Sequence, residues 1–373
     1  MCAARADASP QQAVDNLPDM QIFHNPLHAA HAARQEMFRG RMVDSHEVPQ
    51  RLEYVLDALR RHPLGALREP EVDDAALQHA LQRVHTPAYL EFLQRAWASW
   101  VELDPGNAGR DALPSVWPLA RADAFRGDAP TRHFAARLGM HAFDSGTPLT
   151  RGTWVAARAG AACALAAARE LLAGGRSAFA LTRPPGHHAG PDYFGGYCFV
   201  NNAALAAQAL CDGGCRRVAV LDIDYHHGNG TQTIFYRRAD VLTVSIHGDP
   251  QTEYPFFLGF ADERGADSGL DCNLNLPLPR GSGIAAWREA LLQGLQRVRS
   301  FGAEALVVPM GLDTFAGDPI CGFALQRDDY PQIGSLLARA GLPTLFTFEG
   351  GYAVAELGIH AHKLLQGFVQ AAA

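Results

Sequence analysis

The chain of 373 residues has no run of about 20 consecutive apolar residues and no pattern typical of a signal peptide. We therefore expect neither a membrane-spanning segment nor a membrane partner. Basic residues are not in excess either, and the formal net charge of −7 argues against a nucleic-acid-binding surface. The sequence also lacks internal repeats, which argues against a repeat architecture.

The seven cysteines are scattered without the spacing of a disulfide framework, and their number is odd. This pattern predicts reduced thiols and therefore a cytoplasmic protein. Cys211 and Cys215 flank a Gly-Gly turn. Because no second cysteine pair accompanies them, we interpret them as ordinary thiols rather than as zinc ligands.

Short apolar runs alternate with helix-like segments over most of the chain, which is typical of βαβ units and a mostly parallel sheet. Strands are predicted at residues 178–181, 218–223, 241–246, 305–310 and 344–348. Helices are predicted at residues 49–61, 74–84, 87–103, 153–172, 203–211, 284–301 and 330–340. We expect one α/β domain over residues 21–373 and a disordered tail at residues 1–20.

Two long connections, residues 22–48 and 104–149, show little periodicity. Loops of this length are usually functional or disordered, so we expect them to shape the mouth of a site or a subunit contact. His24, His28 and His31 have helical spacing in the first connection. No neighbouring carboxylate completes a metal set there, and we interpret these histidines as a surface or interface feature.

The segment Asp222-Ile-Asp-Tyr-His-His-Gly-Asn-Gly-Thr231 directly follows a buried apolar run. In an extended strand, residues two apart point the same way, so Asp222, Asp224 and His226 would share one face. Two carboxylates and an imidazole at a strand end predict a divalent-metal site. The glycines that follow would let the chain turn away and leave this site open.

Glycines and polar residues follow each of the five predicted strands, and Asp313 comes after the strand at 305–310. Open parallel sheets bind ligands at these carboxyl ends. Asp224, His226 and Asp313 would leave a fourth metal position for water, an arrangement that favours catalytic Zn²⁺, with Fe²⁺ or Co²⁺ as substitutes. The alternative for any single aspartate is an ordinary turn residue.

The tandem histidines His187 and His188 follow Arg183-Pro-Pro-Gly186. Alone they could belong to a surface loop, but beside a metal-bound water they are candidates for a general base and acid. Each imidazole needs an orienting partner, and Asp222 and Asn229 are available. An aspartate raises imidazole basicity whereas an asparagine does not, so the pair could hold different protonation states.

Tyr352 follows two glycines, and its phenol could bind a developing oxyanion. The alternative is an ordinary half-buried tyrosine. Several apolar residues near the polar segments are either core residues or the walls of a narrow slot for an alkyl chain. These residues are Phe194, Tyr197, Phe256, Phe257 and Ile320.

Five segments in order resemble the histone deacetylase superfamily, above all bacterial acetylpolyamine amidohydrolases and the related class II-like deacetylases. They are residues 183–189, 194–202, 222–230, 313–319 and 349–352. The resemblance extends over about residues 20–370. It implies the arginase–deacetylase fold, a single α/β domain around an eight-stranded parallel sheet.

The resemblance also implies residue roles. Asp224, His226 and Asp313 would bind Zn²⁺. His188 would be the general base and acid and His187 an electrostatic aid, with Asp222 holding His187, Asn229 holding His188, and Tyr352 polarising the substrate carbonyl. The implied substrate-binding residues are Gly196 through its main-chain carbonyl, Tyr197, Phe257, Ile320 and Glu36.

Structural monovalent cations, K⁺ or Na⁺, are a further property that the resemblance implies. The positions matching the first cation site are Asp222, Asp224, His226, Ser245 and Ile246, mostly through main-chain oxygens. The positions near the second are Phe235, Arg238 and Val241.

In the polyamine enzymes an insertion loop near the N-terminus lies across a dimer interface. Residues 33–40 resemble this loop, with Glu36 at its acidic position, which implies a homodimer. The polyamine enzymes have further acidic positions that help read the charge of the polyamine. By alignment these positions fall in the second long connection, near Ala135 and Gly146, and Asp144 and Asp128 are possible substitutes.

The resemblance implies that the protein is a zinc-dependent amidohydrolase that removes acetyl groups from small acetylated amines. Acetylpolyamines are the leading substrates. Deacetylation of lysine side chains in proteins is the alternative. An arginase-type binuclear hydrolase fits poorly because only one ligand set is visible. A binding module without catalysis would be expected to lack the ligands, the histidine pair or Tyr352, and all of them are present.

Overall fold

A computed structural model of the chain describes residues 20–118 and 131–372. Residues 1–19 of the predicted tail therefore lie outside the described residues. Met20 does not belong to a tail, because it is fully buried and begins the first strand.

The centre of the fold is an eight-stranded sheet in which every neighbouring pair is parallel. Its strands are β1 (Met20–His24), β4 (Gly65–Arg68), β5 (Ser177–Leu181), β6 (Val218–Asp222), β7 (Val241–Gly248), β8 (Asn273–Leu278), β9 (Ala305–Met310) and β10 (Thr344–Phe348). They lie in the order β4-β1-β5-β10-β9-β6-β7-β8. The predicted single α/β domain around an eight-stranded parallel sheet is confirmed.

All five predicted strands are present, whereas β1, β4 and β8 were not predicted. β4 and β8 form the two edges of the sheet, and β1 lies between β4 and β5. The interpretation of residues 22–48 as a loop is wrong. This segment contains most of β1 and an antiparallel hairpin of β2 (Gln35–Phe38) and β3 (Arg41–Asp44), which form a separate two-stranded sheet in the described part of the chain.

The helices cover both faces of the sheet, and all seven predicted helices are present within one or two residues at each end. They are α1 (Gln50–Arg61), α2 (Asp74–Val84), α3 (Pro87–Leu103), α4 (Phe134–Met140), α5 (Thr153–Leu172), α6 (Asn202–Asp212), α7 (Asn229–Phe235), α8 (Ile284–Phe301), α9 (Tyr330–Ala338) and α10 (Leu357–Ala372). The segment 104–149 contains α4 and a 3₁₀ turn, Pro105–Gly109, and its residues 119–130 lie outside the described part.

Two apolar cores lie on opposite faces of the sheet because successive strand residues alternate in direction. Val218 and Val220 of β6 belong to the core under α2, α3, α5 and α6. Ala219 and Leu221 of the same strand belong to the core under α1, α8, α9 and α10. This two-sided burial explains why the central strands read as continuous apolar runs.

Other sequence-based expectations have mixed outcomes. His28 and His31 are buried rather than on the surface: His31 is 1% exposed, and its Nδ1 lies 2.9 Å from Thr153 Oγ1. The six cysteines in the described residues, Cys163, Cys198, Cys211, Cys215, Cys272 and Cys321, are all free thiols. Among the described helices, none combines the length and apolarity needed to cross a membrane.

Candidate active site

The Ile223 amide still donates to Pro309 of β9, but the segment bends from Asp224 onward, where carboxylates accept the backbone hydrogen bonds. Asp222 Oδ1 accepts from the Asp224 amide at 3.0 Å, and Asp313 Oδ1 accepts from the Tyr225 amide at 2.9 Å. Asp224 Oδ1 accepts from the His226 amide at 2.8 Å. The extended strand expected to carry Asp222, Asp224 and His226 therefore ends at Asp222, and the other two side chains lie on a fixed turn.

That turn brings Asp224, His226 and Asp313 together, as the sequence predicts. His226 Nδ1 lies 3.1 Å from Asp313 Oδ2 and 3.4 Å from Asp224 Oδ1. Both aspartates are fully buried. Burial opposes a charge on His226, yet the two carboxylates raise its pKa to about 9. Burial and the charge of Asp224 raise the pKa of Asp313 to about 7, which shows how strongly this cluster demands a positive charge.

This donor set fits a divalent cation, because two buried carboxylates lie within 3.4 Å of an imidazole nitrogen. Cys321 is a neighbour of this cluster that was not predicted from the sequence. A ligand atom of Cys321 lies within 4.8 Å of one ligand atom each of His226 and Asp313, which are themselves within that distance of each other. The thiol sulfur is 3.9 Å from His226 Nε2. A lone cysteine without a metal-ligand spacing gives no signal in the sequence.

His187 and His188 have different partners, as predicted. His187 Nδ1 lies 2.9 Å from Asp222 Oδ2, and His188 Nδ1 lies 2.6 Å from Asn229 Oδ1. Burial opposes the charge of His187, but the carboxylates of Asp224 and Asp222 raise its pKa to about 10. Burial, together with the charges of His187 and His226, lowers the pKa of His188 well below its usual value. The two imidazoles thus favour opposite protonation states.

A buried carboxylate that sequence reasoning did not assign supports the histidine pair from behind. Glu349 Oε2 accepts from the amides of Gly186 at 2.6 Å and His187 at 3.1 Å, while Thr347 Oγ1 donates to Oε1 at 2.9 Å. Burial raises the pKa of Glu349 to about 7. Its position directly after β10 was the available signal.

Tyr352 lines the same pocket as His188 and His226 and is 7% exposed. Its amide donates to Asp318 Oδ2 at 2.7 Å, and its ring centre is 5.5 Å from that of Tyr197. Burial raises the pKa of Tyr352 well above its usual value, so the phenol stays protonated and can donate a hydrogen bond.

Above the polar cluster lies a pocket of about 650 Å³. Its walls include Gly196, Tyr197 and Ile320, three of the predicted substrate-binding residues. Phe257 also borders the pocket, but its side chain is 86% exposed, so it stands at the rim rather than in a narrow channel wall. Met37 to Gly40 of the β2–β3 hairpin line the pocket of their own chain.

Glu36 does not line this pocket and is only 1% exposed. The expectation of a direct substrate contact is therefore not met in this chain. Its Oε1 accepts from Tyr197 Oη at 2.8 Å and lies 2.7 Å from His46 Nδ1. Glu36 therefore holds the hydroxyl of Tyr197, a residue of the pocket wall, and does not itself face the pocket.

Asp144, in contrast, lines the pocket. Its carboxylate accepts hydrogen bonds from four neutral groups of this chain, the amides of Gly146 and Gly196 and the hydroxyls of Thr147 and Tyr254. Asp128, the other acidic residue considered in this segment, lies outside the described residues.

The structure places the two sets of residues predicted for monovalent cations in separate places. In the first set, Asp222 pairs with Ser245 in the β6–β7 register, and both line a cavity of about 10 Å³. In the second set, the Phe235 carbonyl at the end of α7 accepts from the Arg238 amide at 2.9 Å, and Val241 begins β7.

The eight-stranded parallel sheet carries this group of carboxylates, imidazoles and a phenol at its carboxyl edge, and its fold matches the deacetylase fold of the solved structural neighbours. Residues 45–368 match the histone deacetylase domain, and the chain belongs to the histone deacetylase family. It is accordingly a hydrolase of that family.

Named relatives cover nearly the whole chain. The chain is 48% identical to acetylpolyamine amidohydrolase 2 of Pseudomonas aeruginosa over 94% of its own length and 98% of the relative. It is 41% identical to acetylpolyamine amidohydrolase of Mycoplana ramosa over 93% and 99%. A crystal structure of acetylpolyamine aminohydrolase from Burkholderia pseudomallei superposes with a TM-score of 0.88 at 40% identity, covering 94% of this chain and 99% of that one.

Proposed function

We propose that the chain is a zinc-dependent amidohydrolase that removes acetyl groups from small acetylated amines, with acetylpolyamines as the leading substrates. The observation that carries this proposal is the convergence of two differently partnered histidines and Tyr352 on the cluster of Asp224, His226 and Asp313. The names of the relatives support the same chemistry and the same substrate class.

Asp224, His226 and Asp313 would hold the metal, because both carboxylates lie within 3.4 Å of His226 Nδ1. Bound Zn²⁺, or Fe²⁺ or Co²⁺ in its place, would supply a Lewis acid for the water and the acetyl carbonyl. The carboxylates also fix the backbone of the turn that carries the ligands, so the donor set is held rigid before the substrate binds.

His188 is the general base of this proposal. Asn229 accepts from its Nδ1, which leaves Nε2 to take a proton from the attacking water and return it to the departing amine nitrogen as the C–N bond breaks. Its lowered pKa keeps the imidazole neutral and ready to accept a proton. His187, whose ring centre is 4.1 Å from that of His188, holds positive charge beside the reacting atoms.

The substrate amide meets protein groups on both sides. The Tyr352 phenol would donate to the carbonyl oxygen as charge develops there. The main-chain carbonyl of Gly196 would accept from the amide N–H. Tyr197 and Ile320 would border the alkyl chain, with Phe257 at the rim.

A cationic substrate is supported by Asp144. Its four hydrogen-bond donors are all neutral, so its negative charge on the pocket wall is not cancelled by them. A nearby ammonium group would be attracted, although solvent in an open pocket weakens the attraction. The free ammonium group of an acetylated polyamine is a natural partner for this charge.

Side-by-side turnover on acetylputrescine, acetylcadaverine, acetylspermidine and an acetyl-lysine peptide tests the proposal. We expect the acetylated diamines and acetylspermidine to give the highest kcat/KM. Preference for the peptide would instead favour the protein lysine deacetylase. Dialysis against a chelator should abolish turnover and Zn²⁺ should restore it, with metal content followed by atomic spectroscopy; turnover that survives complete metal removal would contradict metal dependence.

We further propose that the protein is a cytoplasmic homodimer that contacts its partner through the β2–β3 hairpin, and that K⁺ or Na⁺ stabilises the two predicted cation sites. Met42 of the hairpin is 46% exposed, which suits a contact residue. Sedimentation of wild type and Met42→Glu tests the contact. A dimer unchanged by the substitution would count against the hairpin as the main interface.

A further inference from the structure

Gly195-Gly196-Tyr197-Cys198 forms a tight turn beside the histidine pair. Gly195 and Cys198 exchange backbone hydrogen bonds of 3.2 and 2.9 Å. The two central residues are both left-handed, with φ of 53° at Gly196 and 65° at Tyr197. A Cβ at Gly196 would lie 2.2 Å from His188 Cδ2, so only glycine allows this close approach. This backbone conformation is strained for Tyr197, which has a Cβ, so other contacts must hold the turn.

Asp144 supplies those contacts from the segment 104–149. Its Oδ2 accepts from the Gly196 amide at 2.7 Å and from Thr147 Oγ1 at 3.2 Å. Thr147 Oγ1 in turn accepts from the Tyr197 amide at 3.1 Å. One carboxylate thus holds both left-handed residues, one directly and the other through a hydroxyl. The Gly146 amide donates to the other oxygen of Asp144 at 3.0 Å and fixes its orientation.

Tyr254 links this assembly to the opposite side of the pocket. Its hydroxyl donates to Asp144 Oδ2 at 2.7 Å. Its ring lies 5.8 Å from that of Phe143 and meets the His188 ring edge-on at 5.1 Å. The hydroxyl therefore joins the segment after β7 to the one before α5, while the ring packs independently of it.

We infer that Asp144, with Tyr254, is a positioning residue that sets the Gly196–Tyr197 turn for the substrate amide and so makes the enzyme selective for amides. This inference rests on the proposed function, in which the Gly196 carbonyl accepts from the amide N–H. Asp144 reaches the substrate amide through Gly196, whereas its charge acts alike on substrates that share the same ammonium group. Its loss should therefore cost more for substrates that use that carbonyl than for matched substrates that do not.

An amide and its matched ester separate this role from a general structural one. The test pair is acetylputrescine and the acetate ester of 4-aminobutanol, which has the same chain and ammonium group but no amide N–H. Asp144→Asn keeps the shape of the side chain but replaces one carboxylate oxygen with an NH2 group. That group cannot accept hydrogen bonds from the surrounding N–H and O–H donors. We expect kcat/KM to fall about tenfold for the amide and less than about threefold for the ester.

Equal losses on amide and ester, or no loss on either, would overturn the inference. Asp104→Asn is the matched control, because Asp104 caps a turn in the same segment with a 2.8 Å bond to the Gly106 amide and does not line the pocket. It should leave both rates unchanged. A wild-type enzyme that hydrolyses neither compound would overturn the proposed function itself.

Tyr254→Phe keeps the test decisive if Asp144→Asn does not fold. It removes only the hydroxyl and leaves the ring contacts with Phe143 and His188. We expect an amide-selective loss of about threefold, and in the double variant a combined loss smaller than the product of the two single losses. Independent, multiplying losses would show that Tyr254 does not act through Asp144.

Discussion

The guanidinium carbon of Arg51 lies 4.9 Å from the centre of the Tyr352 ring. The same side chain donates from Nε to the Gly351 carbonyl at 2.6 Å and from Nη2 to the Glu349 carbonyl at 2.5 Å. One fully buried arginine of α1 therefore holds both the phenol and the backbone that carries it. Glu47 neutralises this arginine, accepting from its Nη1 at 2.8 Å.

Replacing Glu47 by glutamine should destabilise the fold strongly. Glu47 is 1% exposed and also accepts from Arg183 Nη2 at 2.9 Å. Its loss would leave two buried guanidinium groups without an ion-pair partner among residues 20–118 and 131–372. We expect the free energy of unfolding, measured by urea denaturation, to fall by about 3 kcal/mol. Turnover of the folded fraction should fall as well, because Arg51 positions Tyr352.

The control for this prediction is Asp57→Asn. Asp57 pairs with Arg61 on the exposed side of α1, where the two side chains are 56% and 65% exposed. A pair so open to solvent contributes less than about 1 kcal/mol. If the two substitutions had equal effects on unfolding, the buried ion network would not be the source of stability.

Tyr352→Phe should reduce turnover by about 10²–10³-fold, as expected when one oxyanion donor is removed. KM should change little, because the ring and its contacts with Arg51 and Tyr197 are kept. Steady-state kinetics on acetylputrescine measure both constants, with the exposed Tyr54→Phe as control. Near-normal turnover of Tyr352→Phe would exclude the assigned role.

The sequence predicts the centre of the fold better than its edges, for a physical reason. Strands such as β6 and β9 are buried on both faces and therefore read as continuous apolar runs. β4 has only four residues and one buried position, and β8 alternates buried with half-buried residues. Short or half-covered strands carry too few apolar residues to stand out.

A similar limit applies to the site. Asp224, His226 and the histidine pair lie in compact polar segments after strands, so they can be found without a structure. Arg51 meets its partners Glu349 and Gly351 about 300 positions away in the chain, and no local pattern announces such a contact. The sequence shows that Glu36 is an acidic residue, but it does not show that its side chain is buried away from the pocket.

The hairpin should contribute stability that depends on pH through His46. The hydrogen bond with Glu36 raises the pKa of His46 despite its partial burial, and the charge of Asp318 adds to the effect. The folded state therefore binds the proton more tightly than the unfolded state does. The stabilisation is fully present below the unfolded value of 6.5 and is lost as pH rises through the higher folded value.

The difference in Tm between wild type and His46→Gln measures this contribution. The Tm difference should be larger near about pH 6 than near about pH 9. Solvent screening should keep the corresponding change in the free energy of unfolding below about 1 kcal/mol. His133→Gln serves as the control, because His133 is an exposed histidine outside the hairpin, directly before α4. A difference independent of pH would mean that Glu36 stabilises the hairpin without a charge on His46.

Arg39 should oppose substrates that carry several ammonium groups. It stands at the tip of the β2–β3 hairpin, lines the pocket, and places its guanidinium 4.9 Å from the centre of the Phe38 ring. Arg39→Glu reverses a charge at the rim. We expect kcat/KM for acetylspermidine to rise by about fivefold relative to uncharged N-acetylbutylamine, and the gain to shrink at high ionic strength.

Arg41→Glu tests whether the position of the charge matters, because Arg41 is exposed on the same hairpin but does not line the pocket. A local interaction at the rim predicts a clear gain for Arg39→Glu and a much smaller one for Arg41→Glu. Equal gains would point to long-range attraction by the net charge instead. An equal change for N-acetylbutylamine would show that the hairpin had moved, since that substrate carries no charge for Arg39 to repel.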